Sequence, residues 1–201
     1  MYKIITVGRN FGSGGRELAR RLAERLGYAY YDKEIVTEMA KRTNLTEEYI
    51  SRIEESRTIP LWPITIGMTF SPQFYPLMDQ SLQVFTEQSK IIKEMAEKSN
   101  CVIVGRCADY LLRDKEPLRL FVYADMAFRI RRCRERGDAE EDLSDRNLRQ
   151  KIREVDRSRS KYYELYTNQG WGERENYDLC INTSHMDIKK LVESLALFIE
   201  G

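Results

Sequence analysis

The sequence predicts an α/β fold in which a parallel sheet is covered by helices on both faces. Five short apolar runs alternate with helical patterns along the 201 residues. Several of these runs are apolar at nearly every position, as strands buried on both faces of a parallel sheet are. The first run leads directly into a glycine-rich turn and then a helical pattern, which is the layout of a phosphate-binding loop.

The predicted elements follow one another in a regular order. Strands are predicted at 4–7, 28–31, 101–104, 118–123 and 177–182. The first helix carries its buried stripe at four-residue spacing on Leu18, Leu22 and Leu26. Gly27 ends that helix as a C-cap. Residues 33–56 are polar with a helical pattern. Further helices are predicted at about 78–99, 126–136, 143–166 and 188–199.

Residues 57–76 differ from the rest of the chain. They hold four of its five prolines, together with Trp62, Phe70, Phe74 and Tyr75. This composition does not favour regular structure, yet its apolar content argues against free disorder. We predict that the segment packs on the core or mediates self-association, which leaves a homodimer open. Covering a substrate is the other role compatible with its composition.

The bulk composition restricts the possible partners. The net charge of +1 provides no global attraction to nucleic acid or to a membrane surface. No apolar run approaches the roughly 20 residues that cross a bilayer. The cysteines are scattered without a C-x-x-C pair, which favours reduced thiols in a cytoplasmic protein over disulfides or a zinc site. We therefore predict no metal site built by the protein alone.

The glycine-rich turn predicts phosphate binding. Four glycines fall within residues 8–15, more than a plain connection from strand to helix needs. The pattern G-x-x-x-x-G-K-[ST] is not met, because both its lysine and its magnesium-binding hydroxyl are absent. Arg16 at the helix start, or Arg9 before the turn, is a candidate for the missing cation. Glu17 is either a magnesium ligand or an acid that complements the helix dipole.

Two further groups of basic residues indicate an anionic ligand. Arg106 follows an apolar strand, at the edge where ligands of open α/β sheets bind, although it could also pair with a surface acid. Five arginines lie within 129–136, and acids follow within 138–142. They form either a solvated helix or a lid that closes over a triphosphate. A nucleic-acid surface is less favoured, because aromatic residues are not interleaved.

A fourth charged group lies on the predicted helix 143–166. Arg153 and Arg157 share a helix face, and Asp156 and Arg159 lie beside it. Opposite charges at such spacing support a helix by themselves. Convergent arginines from two segments would also suit a ligand with two phosphate groups.

The chain resembles the cytidylate kinase-like family, a divergent branch of the P-loop nucleoside monophosphate kinases. The resemblance covers nearly the whole chain and depends on the order and spacing of short motifs. These include Gly12–Glu17, Leu22–Gly27, Tyr30-Tyr31-Asp32, Val104-Gly105-Arg106, Asn176–Leu179 and Ile181–Ser184. It implies a single P-loop kinase domain over 1–201 with a five-stranded parallel sheet. It also implies a helical monophosphate-binding insertion over 33–98 and a lid over 126–142.

The resemblance implies transfer of the γ-phosphoryl group of ATP to a nucleoside monophosphate, with Mg²⁺ as cofactor. In this chemistry catalysis is mainly alignment and charge stabilisation. The implied ATP phosphate-binding residues are Gly12, Ser13, Gly14, Gly15, Arg16 and Glu17. The implied catalytic residues are Arg16, Arg131, Arg132 and Arg134. The implied acceptor-binding residues are Asp32, Arg106, Arg153, Asp156, Arg157 and Arg159.

Departures from the family pattern leave a second function open. Gly15 stands where the family lysine stands, and Glu17 stands where its hydroxyl residue stands. Cys107 follows Arg106 in place of an aspartate, and residues 33–35 replace those that help to bind cytidylate. The alternative is therefore a catalytically impaired, nucleotide-binding regulatory protein. If Arg16 replaces the lysine, removing its charge weakens ATP binding more than removing that of Arg9.

Overall fold

The computed structural model describes residues 2–43, 45–50, 75–136 and 144–201, and five parallel strands form one sheet within them. The strands are β1 (Ile4–Arg9), β2 (Ala29–Tyr31), β3 (Cys101–Val104), β4 (Leu118–Tyr123) and β5 (Leu179–Asn182). Their order across the sheet is β2-β3-β1-β4-β5, and every neighbouring pair is parallel. The predicted parallel sheet is confirmed.

Helices lie between the strands in the chain and cover the sheet. They are α1 (Gly15–Leu26), α2 (Lys33–Thr43), α3 (Tyr75–Lys98), α4 (Ala108–Leu111), α5 (Met126–Arg136), α6 (Asp145–Thr167) and α7 (Ile188–Glu200). Residues 47–50 are also helical. The Oγ1 of Thr46 accepts a hydrogen bond from the N–H of Tyr49 at 3.2 Å, as an N-cap side chain does.

Alternate side chains of the central strand supply two cores. Ile5 and Val7 pack against the buried leucines of α1 and against α7. Ile4 faces the other side and packs with Ile103 of β3 and with residues of α2 and α3. Successive side chains of a strand point to opposite faces, so a strand covered on both faces is apolar throughout.

The structure shifts several predicted boundaries. β1 extends to Arg9, because Gly8 and Arg9 still pair with β4. α1 ends at Gly27 as predicted, with a φ of 68° and an N–H that donates to the last turn. α3 begins at Tyr75, so Tyr75 and Pro76 belong to its first turn, where proline is tolerated. Residues 51–74, which include nearly all of the proline-rich segment, lie outside the described residues.

The fold places the carboxyl ends of β1, β2 and β3 side by side. Arg9 ends β1, Asp32 follows β2, and Gly105 follows β3. In parallel sheets this edge is where ligands bind. In the described part of the chain, no helix has the length and apolar character to cross a membrane.

Candidate functional site

The turn between β1 and α1 has the backbone of a phosphate-binding loop. Gly12 and Gly14 have φ angles of 77° and 86°, a left-handed region that residues with a Cβ rarely adopt. Gly14 is the N-cap residue of α1, so the turn leads to the positive end of the helix dipole. The backbone conformation therefore requires glycine at these two positions.

Several amides of this turn are available to a ligand. The N–H of Ser13 donates to the carbonyl of Asn10 at 3.4 Å, and the N–H of Gly15 donates to Ser13 Oγ at 3.4 Å. Both distances are long for a hydrogen bond. The N–H groups that make no hydrogen bond to a described residue are those of Gly12, Gly14, Arg16 and Glu17. Such orphan groups at a helix start bind anions.

Contacts from distant elements fix the conformation of the loop. The Nε of Arg129 donates to the carbonyl of Phe11 at 2.7 Å, and Asp156 Oδ1 accepts the N–H of Phe11 at 2.7 Å. Arg129 and Asp156 also form an ion pair with each other. Thr183 Oγ1 donates to the carbonyl of Ser13 at 2.6 Å. Asp156, predicted on the acceptor side, is thus engaged in holding the loop in this structure.

Arg9 at the end of β1 lies between two glycines. A Cβ added at Gly15 would lie 2.5 Å from Arg9 Cβ, and one added at Gly105 would lie 2.1 Å from Arg9 Nη1. The side chain of Arg9 therefore fills the space that larger residues at 15 and 105 would need. Burial lowers the pKa of the Arg9 guanidinium, and the charge of Arg159 lowers it further, while Asp32 opposes both.

Asp32 gathers basic groups at the ends of β2 and β3. Its Oδ2 lies 2.6 Å from Arg16 Nε, and its Oδ1 lies 3.5 Å from Arg106 Nη1. The hydroxyl of Tyr30 donates to the same carboxylate at 3.3 Å. The Asp32 side chain is 4% exposed, whereas that of Arg16 is 57% exposed. Arg16 therefore lies at the rim of the site, and Asp32 lies inside it.

Glu17 is surrounded by arginines on the opposite wall. Arg21 Nε and Arg136 Nη1 each lie 2.7 Å from its carboxylate, and Arg132 donates to it as well. Burial alone would raise the pKa of Glu17, but hydrogen bonds from Arg132 and Arg21 and the charge of Arg136 lower it to about 2. Glu17 is therefore a carboxylate at neutral pH, and it connects α1 to α5.

These groups line one cleft of about 1000 Å³. Among the predicted site residues, those that line it are Gly12, Gly14, Gly15, Arg16, Glu17, Asp32, Arg132, Arg134 and Arg159. Arg131 faces solvent with 62% of its side chain exposed, and Arg153 and Arg157 are exposed on α6. Ser13, Arg106 and Asp156 are not among the residues that line it. The cleft is thus lined by five of the six predicted loop residues and by four of the nine other predicted site residues.

The connection after β3 has an unusual backbone. Gly105, Arg106 and Cys107 have φ angles of 70°, 56° and 55°. Residues other than glycine adopt this left-handed region at a cost of about 1–2 kcal/mol each. Such conformations persist where surrounding contacts enforce them, and they cluster at ligand sites.

A polar and aromatic cluster between α3 and α6 supports this connection. Gln88 is fully buried, and its Nε2 donates to the carbonyl of Arg106 at 3.3 Å. Tyr162 donates to Gln88 Oε1 at 3.3 Å, and Phe85 stacks on Tyr166 with ring centroids 3.9 Å apart. Sequence reasoning missed Gln88, because a glutamine in a polar helical pattern carries no signal that it is buried.

The sequence matches known proteins over nearly its whole length. A model of the cytidylate kinase-like family matches residues 4–185. The chain belongs to this family. It is 26% identical over 200 residues to a cytidylate kinase of Archaeoglobus fulgidus, across 98% of this chain and 94% of that protein.

Two solved structures resemble the whole chain. One is an uncharacterized protein from Eubacterium ventriosum, at 26% identity, a TM-score of 0.71 and coverage of 98% of both chains. The other is a shikimate kinase from Bacteroides thetaiotaomicron, at 15% identity, a TM-score of 0.58 and coverage of 98% of both chains. The fold is therefore that of the P-loop kinases, and the family resemblance inferred from the sequence is confirmed.

The cleft does not offer the protein ligands of a metal site. Mg²⁺ in kinases is bound by one or two carboxylates together with substrate phosphates and water. Of the three carboxylates that line the cleft, those of Glu17 and Asp32 are engaged by guanidinium groups, and that of Glu34 accepts the N–H of Asp32 at 2.9 Å. Across the described ranges, no three His, Cys, Asp or Glu side chains are grouped to hold a metal ion. The residues present do not fit a metal held by the protein.

Proposed function

We propose that this protein transfers the γ-phosphoryl group of ATP to a nucleoside monophosphate or a similar small phosphorylated acceptor. The observation that carries the proposal is the cleft in which the available amides of the loop face arginines from β1, α1, α5 and α6. A triphosphate presents several anionic oxygens to such donors. Membership of the cytidylate kinase-like family supports the same activity.

The loop and α5 act on the transferred group in this proposal. Gly12–Glu17 bind the β- and γ-phosphates through backbone N–H groups. An oxygen of the acceptor phosphate attacks the γ-phosphorus, the bond to the β–γ bridging oxygen breaks, and ADP leaves. Charge spreads over the γ-phosphoryl oxygens during transfer, so Arg132 and Arg134 of α5 stabilise it. The Arg16 side chain is held by Asp32 at the rim of the cleft, so we assign it no contact with the phosphates. Arg131 faces solvent, so we assign it no contact.

The acceptor binds on the side of the cleft formed by β2 and β3. Asp32 and Arg106 follow these strands, and Arg159 reaches the cleft from α6. Arg159 supplies a bidentate fork for a monophosphate, whereas Arg106 does not line the cleft and contributes through its ion pair with Asp32. Asp32 holds Arg16 and Arg106 in position through its carboxylate. Arg153 and Arg157 are exposed and are left outside this set.

Magnesium enters this scheme with the nucleotide. The phosphate oxygens of ATP and water supply most of the ligands that Mg²⁺ requires. We expect the ion to arrive as part of the ATP complex, since the two buried carboxylates of the cleft, Glu17 and Asp32, are engaged by arginines. No step assigned to the side chains above depends on a metal site in the protein.

Turnover and binding are tested separately. The protein is incubated with Mg–ATP and a panel of nucleoside monophosphates, and diphosphate products are separated by ion-exchange chromatography. ATP affinity is measured in parallel by calorimetry. We expect ADP and the diphosphate of the acceptor to appear in equal amounts. ADP without phosphorylated acceptor, in every reaction of the panel, would contradict the proposal.

The regulatory alternative has a specific observation in its favour. Glu17 stands where the family has a hydroxyl residue, and its carboxylate holds two arginines of α5 in the described structure. A nucleotide-binding protein in which these arginines cannot leave Glu17 would bind ATP without transferring phosphate. Measurable ATP binding with no product from any acceptor supports this alternative.

A further inference from the structure

We infer that Arg9, on strand β1, is the cation that binds the ATP phosphates in place of the lysine of the standard phosphate-binding loop, which this chain lacks. The inference deepens the proposed function by assigning this contact to a residue before the loop. It concerns nucleotide binding and does not depend on turnover. Support comes from the space around Arg9, from the charges around it, and from the ion pairs that the other arginines form with carboxylates.

The space around Arg9 explains why Gly15 is not a lysine. A Cβ at Gly15 would lie 2.5 Å from Arg9 Cβ and 3.1 Å from Val122 Cβ. The first distance is shorter than non-bonded carbon atoms approach one another. The Arg9 stem and a side chain at position 15 therefore exclude each other. A basic side chain could reach this part of the cleft either from β1 or from the start of α1. In this chain it comes from β1, as Arg9.

The guanidinium end of Arg9 is similarly enclosed. It lies over Gly105, where an added Cβ would approach Nη1 to 2.1 Å. Both small residues thus face the same side chain, one at its stem and one at its tip. Arg9 also lines the cleft that the loop lines, and its position between the two glycines keeps the guanidinium at the carboxyl ends of β1 and β3.

The charges around Arg9 are mostly positive. Arg159, Arg106 and Arg16 act on it unfavourably, and Asp32 is the nearby acid that acts favourably. Asp32 is itself engaged by Arg16 and Arg106. Within the described residues, the Arg9 guanidinium makes no hydrogen bond or ion pair. A guanidinium has five N–H donors, and a phosphate matches this fork geometry.

The other arginines of the loop region are less suited to this contact. Arg16 lies at the rim with its Nε on Asp32, and 57% of its side chain is exposed. Arg132 is held by Glu17 on the opposite wall. Each already shares its charge and part of its N–H donors with a carboxylate, whereas Arg9 makes no ion pair among the described residues. This ranking reverses the one that the sequence favoured, in which Arg16 came first.

Matched variants test the inference. Arg9→Met removes the charge and retains a flexible stem over Gly15, and Arg16→Met is the matched control. Affinities for ATP, inorganic tripolyphosphate and adenosine are measured by calorimetry. We expect Arg9→Met to weaken ATP and tripolyphosphate binding by about ten- to a hundredfold, as loss of a charge-assisted hydrogen bond does. Arg16→Met weakens them by less than about threefold, and adenosine binding is unchanged in both variants.

A relocated charge provides the second arm of the test. The double variant R9G/G15K removes the stem that blocks position 15 and places a lysine there. We expect it to bind tripolyphosphate more tightly than Arg9→Met does. Circular dichroism and the thermal midpoint of each variant report whether it is folded.

The outcomes separate this inference from the proposed function. If the wild-type protein binds ATP but forms no product, and Arg9→Met still loses affinity, the inference holds and the proposed function fails. If the wild-type protein forms product while Arg9→Met binds ATP as tightly as Arg16→Met does, the inference is overturned and the proposed function stands. A wild-type protein that binds neither ATP nor tripolyphosphate overturns the inference.

Discussion

The two walls of the cleft are both rich in arginine, but they differ in how its charge is balanced. On the wall formed by β1, Arg9 has other arginines around it, and the carboxylate of Asp32 is already engaged. On the wall formed by α5, Arg132 and Arg136 share the carboxylate of Glu17. Arg9 makes no ion pair among the described residues, whereas Arg132 and Arg136 each pair with a carboxylate. The difference teaches that residue type alone does not indicate where a phosphate binds.

The arginines of the two walls are also expected to respond differently when a phosphate binds. A phosphate can approach Arg9 without breaking an ion pair of Arg9 among the described residues. Arg132 and Arg136 already bind Glu17, so a phosphate competes with that carboxylate for their charge and N–H donors. We therefore expect the β1 wall to determine affinity and the α5 wall to respond to the ligand. Three predictions on stability sharpen this contrast.

The largest loss of stability is expected from breaking the ion pair between Arg129 and Asp156, which supports the phosphate-binding loop. Arg129→Met leaves Asp156 without its partner and removes the bond to the carbonyl of Phe11. Loss of one member of a buried ion pair typically costs about 3–5 kcal/mol. We expect the free energy of unfolding, measured in urea, to fall by about 3 kcal/mol. Nucleotide binding falls as well, because the loop loses a support.

A neighbour on the same helix serves as the control for that prediction. Arg131→Met removes an exposed charge 4.0 Å from Glu135, and exposed pairs contribute about 0–1 kcal/mol. The same loss of stability in both variants would mean that the contact between Arg129 and the loop contributes nothing specific.

An intermediate effect is expected at Glu17, with a defined pH dependence. Its pKa in the folded protein is lowered from an ordinary value of 4.5 to about 2. The carboxylate therefore stabilises the fold above about pH 5, and this stabilisation is lost as the pH falls toward 2. At about 1.4 kcal/mol per pKa unit, the full shift corresponds to about 3.5 kcal/mol at pH 7. Arg21 and Arg136 are partly exposed, so solvent screens their charges and we expect a contribution of about 2 kcal/mol.

The variant Glu17→Gln tests this expectation. It is less stable than the wild-type protein at pH 7, and the difference disappears as the pH approaches 2. Urea unfolding at several pH values measures the change in the difference. A constant difference from pH 7 to pH 2 would show that the effect of Glu17 is not its charge.

The smallest expected changes in the free energy of unfolding have opposite signs for the two walls. Without ligand, Arg9→Met relieves repulsion among arginines, and we expect it to raise the free energy of unfolding by about 1 kcal/mol, as replacements at binding sites can. Arg132→Met removes a partner of Glu17 and lowers the free energy of unfolding by about 1 kcal/mol. Thermal and urea unfolding of the ligand-free proteins measure both changes. Two changes of the same sign would contradict the contrast between the walls.

Local sequence patterns predicted several strands and helices, because each pattern depends on only a few neighbouring residues. Strands β3 and β4 and helix α5 have the bounds predicted from their apolar runs and helical patterns. Gly27 ends α1 because its φ of 68° is suited to a residue without a Cβ. The contact between Arg21 and Glu17 is also local, since residues four apart lie on one helix face.

The arginines of α5 show where local patterns no longer suffice. Arg129 has an 8% exposed side chain and supports the loop, whereas Arg131, two positions later, is 62% exposed. Their spacing shows that they lie on different faces, but not which face packs against the loop. That choice depends on how α5 docks on α6. The site assignments from the sequence therefore remain predictions that the proposed variants can test.

The sequence by itself determined the order of strands and helices along the chain, the phosphate-binding turn and the family. These follow from short-range periodicity, from glycines needed for positive φ angles, and from motifs in a fixed order. Tertiary structure decided which charges meet: Asp156 with the loop, Glu17 with α5, and Arg9 in the space left by Gly15 and Gly105. The physical reason is that each of these contacts joins residues on different elements, and packing alone fixes their distance.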